Sequence, residues 1–108
     1  MSNREALACH LTARPAFEEA RRNAPPGASA RRRLGAIVAA IDREIAYAAN
    51  LTLSRGELFY QLQPENLHHI EKDLKWAQAR LGALETSPER AAAIPAWLAT
   101  VLPMVVRG

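Results

Sequence analysis

Leu67 to Glu85 reads LHHIEKDLKWAQARLGALE. Leu67, Ile70, Leu74, Ala77, Leu81 and Leu84 recur in it at alternating three- and four-residue steps, the repeat that lines one face of a helix. Pro64 suits the first turn of such a helix, because its missing N–H would have no intrahelical partner there, so the spacing predicts a helix over 64–85. A second seam lies upstream. Leu34, Ile37 or Val38, Ile41, Ile45 and Ala48 keep the same interval, Ser29 is placed to cap it and Asn50 to stop it, which predicts a helix over 30–49. Two apolar stripes of this length bury each other most simply as an antiparallel pair. The expected fold is therefore an all-α bundle with shorter helices at both ends, a single domain over 1–108.

The flanks supply those shorter helices. Ser2 and Glu5 have capping-box spacing, and Leu7 and Leu11 share a face of the helix they would open. Pro15 is expected to interrupt it, since proline removes a donor and crowds the preceding turn. A second piece near 16–22 would then bury Phe17 and Ala20 before the NAPPGAS loop. Ser54 and Glu57 repeat the capping box for a short helix, and Ser87-Pro88 opens a last one. Pro95 should kink that helix before Ile94, Leu98, Val101 and Val105 close the core.

Composition agrees with helix. Hydrophobic residues make up 49% of the 108 while aromatics reach only 6%, because alanine dominates the apolar count, and alanine favours helix over strand. One cysteine, Cys9, excludes an internal disulfide and the multi-cysteine zinc patterns. The uncharged apolar run from Ile94 to Val106 is too short to span a bilayer and holds two prolines. No basic start leads into an apolar block, so a cytoplasmic protein without membrane contact is expected.

Charge is unevenly placed. Net charge is +3, yet residues 1–33 carry seven arginines against three glutamates, a local +4, and the remainder carries seven basic against eight acidic side chains, a local −1. Arg31, Arg32 and Arg33 crowd the first turn of the predicted 30–49 helix, where the dipole disfavours cations. With Arg21 and Arg22 across the loop they form a candidate patch for an acidic partner or for phosphates.

On the 64–85 helix, His68 and His69 point off the seam. Glu65 and His68 have metal-ligand spacing, but a single outward pair lacks the further ligands a metal needs, and no metal site or cofactor is expected. His69 and Lys72 repeat the H-x-x-K spacing of histidine phosphotransfer bundles, with Asp73 standing where a small residue is required. Trp76 shares the outer stripe with His69. A helix apolar on its seam with a large aromatic off it has two faces to cover, either by a terminal helix or by another chain, and Trp97 poses the same choice. His69, Lys72, Trp76, Arg80 and Trp97 are the candidate partner-binding residues. No glycine-rich phosphate loop, nucleophile elbow or His–Cys pair suggests catalysis, so no catalytic residue is assigned.

The segment AANLTLSRGELFYQL, Ala48 to Leu62, resembles the helix-turn-helix of TetR-type repressors through Ala48, Leu51, Leu53 and the SRGELFYQL run. The resemblance implies a recognition helix from Ser54 in which Arg55, Glu57, Tyr60 and Gln61 face the major groove. The sequence departs from the pattern at Thr52, where the turn wants glycine, and at Glu57, which brings negative charge toward DNA.

The reading that follows is a non-enzymatic regulatory or adaptor protein. It would bind another protein through its helices, as in sequestering a regulator or enzyme, and act as a homodimer. The alternative is a small DNA-binding regulator using residues 42–62.

Overall fold

The computed structural model describes residues 3–55 and 67–107. Four α-helices account for most of them: α1 (Asn3–Asn23), α2 (Ser29–Arg55), α3 (Glu71–Ala79) and α4 (Ala93–Arg107). Single 3-10 turns, His68–Ile70 and Leu81–Ala83, bracket α3. No strand occurs among the described residues, and the chain is an all-α bundle.

The long antiparallel pair is α1 with α2, the most extensive helix contact in the molecule. Its register is legible from three points. The Arg21 side chain lies beside Gly35, Arg14 pairs with Asp42, and Ala6 packs on Ala48, so one number falls as the other rises. Gly27, at φ +80°, turns the chain after Pro25 and Pro26 in a conformation that a side chain would disfavour. Ala6, Ala13, Ala16 and Ala20 of α1 are buried, as are Ala40 and Ala48 of α2, and these small side chains let the two backbones approach closely. Phe17 belongs to the same buried cluster as Leu34, Ile37, Val38 and Ile41.

Four expectations need correction. Pro15 does not break the first helix, which runs unbroken across it. The missing hydrogen bond would have ended on Leu11, which is 52% exposed, so its carbonyl can meet water, while buried residues before and after the proline hold the helix to α2. Second, α2 continues past Asn50 to Arg55, so Ser54 prolongs a helix rather than starting one. Its lower stripe also slips by one residue: Glu44 is fully buried, and Ile45, expected there, is only partly buried.

Third, the 64–85 helix is shorter than its seam. Leu67, Ile70, Leu74 and Ala77 are buried as expected, but the α-helix stops at Ala79, and Leu81 and Leu84 are only partly buried. Gly82 follows at once, and glycine costs a helix interior about 1 kcal/mol relative to alanine. Residues 64–66 lie outside the described segment. Fourth, α4 begins at Ala93, not at Ser87; Pro95 falls in its first turn, where it is tolerated, and Pro103 lies inside it. α4 closes the bundle against α1 and α3, burying Ile94, Trp97, Leu98, Val101 and Val105.

Candidate anion- and partner-binding face

Where the first turns of α2 pass α3, two residue sets read separately in the sequence come together. Arg33 Nη1 donates to Asp73 Oδ1 at 3.0 Å. The same guanidinium lies over the Trp76 ring, 5.7 Å from its centroid, and Arg80 lies over that ring at 5.4 Å. Both distances fit cation–π attraction, worth about 0.5–1 kcal/mol at an exposed site. Positions 69, 73, 76 and 80 follow each other at three- and four-residue steps, which places them on one stripe along α3 and its flanking turns, and Lys72, three residues from His69 and four from Trp76, borders it.

Beside this cluster opens a groove of about 370 Å³ lined by Arg32, Arg33, Ala36, His69, Lys72 and Asp73. Three cations against one carboxylate leave it a formal +2. Arg32, His69 and Lys72 are exposed, and the half-buried Ala36 contributes only a methyl group to the lining. Among the described residues Arg32 and Lys72 enter no ion pair, so their charges are available to a ligand. Arg43 reaches toward His69, Nη2 to Nε2 at 3.5 Å, adding positive charge at the groove's edge.

The arginine patch expected from the sequence is divided. Arg33 and Arg32 face α3. Arg21 instead grips Glu18, three residues back on α1, and holds that carboxyl below its usual range. Arg22 is exposed and Arg31 half-buried, and neither lines the groove. Of the partner-binding candidates, His69, Lys72, Trp76 and Arg80 gather on one face. Trp97 does not: it is 1% exposed and belongs to the core.

The chain matches no known protein family, no curated protein and no solved structure. Geometry and charge therefore carry the functional argument.

Trp97 explains a residue that the sequence reading passed over. Its Nε1 donates to Nδ1 of His10 at 2.9 Å, and its ring meets Phe17 edge-on at 5.3 Å. His10 is 1% exposed, and burial pushes its pKa down to about 4, so it sits in the core as neutral imidazole. The spacing Ala6, His10, Ala13, Phe17, Ala20 would have placed it on the inner stripe, had α1 been read as one helix across Pro15.

Glu19 ties the other end of α1 to the segment before α4. Its carboxylate accepts the Ser87 backbone N–H and an Arg90 guanidinium N–H, and the Ser87 amide chiefly holds the carboxyl below its usual range. Asn23 Nδ2 donates to the Glu85 carbonyl at 2.8 Å. Cys9 is half-buried, and burial raises its thiol pKa, the opposite of an activated thiolate.

The segment expected to read DNA needs a turn near Thr52. Residues 48–55 are instead continuous α-helix, which removes that turn. Glu57, Tyr60 and Gln61 lie outside the described residues, as does the Arg55 side chain. No helix among the described residues is long and apolar enough to cross a membrane.

Proposed function

We propose that this chain is a non-enzymatic helical adaptor that binds an acidic stretch of a partner protein on the face shared by α2 and α3. The observation that carries the reading is the convergence of Arg32 and Arg33 with His69, Lys72, Trp76 and Arg80, about forty residues away in sequence. Arginine and tryptophan are the side chains most often found at interface hot spots. Here they share one surface, and the cations around the groove steer an acidic partner toward it.

The mechanism differs from pairing of greasy helices. Leu67, Ile70, Leu74 and Ala77 are buried within a single chain, so this part of the seam offers no apolar surface to a second copy, while Leu81 and Leu84 further along it are partly buried. The exposed large hydrophobic side chains among the described residues are Leu11, Met104 and Val106. Recognition on this reading is electrostatic and aromatic.

Calorimetric titration with a glutamate-rich peptide at rising salt provides the test. Affinity should fall with salt, and Lys72→Gln together with Arg80→Gln should weaken it by about tenfold or more, at about 1 kcal/mol per lost charge contact. A variant pair that binds as tightly as the parent chain would end the proposal. So would a DNA duplex that binds more tightly than the peptide and loses affinity with salt more steeply.

A further inference from the structure

We infer that the groove between α2 and α3 takes a phosphorylated side chain of the partner. This rests on the adaptor reading and names the group it recognises. The groove carries a formal +2, from Arg32, Arg33 and Lys72 against Asp73, while a phosphoryl monoester carries about −1.5 to −2 at neutral pH. A carboxylate, at −1, leaves a cation uncompensated.

Geometry points the same way. Arg33, one of the two guanidinium groups lining the groove, already holds a carboxylate, that of Asp73 at 3.0 Å. It is therefore partly spent as a planar, two-pronged grip for an incoming Asp or Glu. The other lining cations approach from different elements, Arg32 from α2 and Lys72 from α3. A tetrahedral anion with three terminal oxygens can meet these two and still reach Arg33, whereas a carboxylate offers two oxygens in one plane. The small Ala36 side chain leaves room for the group to enter.

Among the described lining residues Asp73 is the one unfavourable charge. Its neutralisation should strengthen phosphate binding, while loss of Arg32 or Lys72 should weaken it. Stability alone gives no such opposite signs.

The experiment uses the full chain and three peptides identical except for a central Ser, Glu or phosphoserine, with binding followed by amide shifts in nuclear magnetic resonance spectra. The phosphoserine peptide should bind at least about tenfold more tightly than the Glu peptide, and inorganic phosphate should compete with it. Arg32→Gln and Lys72→Gln should each cost about fivefold, and Asp73→Asn should gain about threefold. Ala36→Met fills the groove without altering charge and should abolish binding, with the helical circular dichroism and unfolding midpoint confirming that the variant is folded. Equal affinity for the Glu and phosphoserine peptides would overturn the phosphate inference and leave the adaptor reading standing. Phosphoserine binding that survives Ala36→Met would overturn it too, because attraction would then be diffuse rather than seated in the groove. If neither acidic peptide binds, both readings fall together.

Discussion

At the corner where α1 meets α4, Trp97 is enclosed by Phe17 and by a neutral histidine that accepts its indole N–H. On the face where α2 meets α3, the half-buried Trp76 carries two guanidinium groups over its ring. Both indoles sit on helices of one small bundle, and only their spatial neighbours differ. The first corner is closed by satisfied polar contacts inside the core. The second is held by charges that water and ligands can reach. The difference separates a residue that maintains the fold from one whose neighbours are left open to solvent, the one to which the proposed function gives a partner.

The strongest break of this comparison is truncation. Trp97→Ala should cost about 3–5 kcal/mol of stability, from lost burial and from the stranded His10 acceptor, whereas Trp76→Ala should cost about 1 kcal/mol. Urea unfolding of the two variants checks the contrast; equal losses would mean that the two indoles have equivalent roles.

Acid should act at the same corner. The folded pKa of His10, about 4, lies below its unfolded value of 6.5, so below pH 6.5 the unfolded chain takes up a proton that the folded chain refuses. Stability from this residue is fully present above pH 6.5 and declines as pH falls toward 4, by roughly 3 kcal/mol in all. Relative to the parent chain, His10→Gln should flatten that part of the pH–stability curve. A curve as steep as the parent's would assign the acid loss to carboxylates such as Glu18 and Glu19, whose depressed pKa values act in the same direction.

The smallest effect belongs to the exposed ion pair between Arg14 and Asp42, with 40% and 49% of their side chains accessible. Asp42→Ala should change stability by about 0.5 kcal/mol, and 0.5 M salt should erase the difference. A larger, salt-resistant loss would show that the pair sets the α1–α2 register.

Much of this architecture was legible from spacing. The α2 stripe from Leu34 to Ile41 and the first half of the 67–85 seam follow the spacing, because aliphatic side chains at three- and four-residue steps have few other ways to be buried. The long partner of α2 was not legible, because α1 packs through alanines, which carry little hydrophobic signal, and because Pro15 seemed to divide it. That false break also hid His10, whose stripe neighbour Phe17 lies on its far side. The α2/α3 face was half visible: Trp76 off the seam pointed to a second covered face. Its meeting with Arg33 depends on how two helices cross, which no local pattern encodes. Trp97 could not be assigned without knowing that a histidine waited for its N–H.

The most direct measurement follows the two indole N–H resonances of the isotopically labelled chain as an acidic peptide is added. The account predicts that the Trp76 signal shifts progressively with peptide while the Trp97 signal stays fixed. Movement of Trp97 with Trp76 unchanged would place binding on the wrong side of the molecule and contradict it.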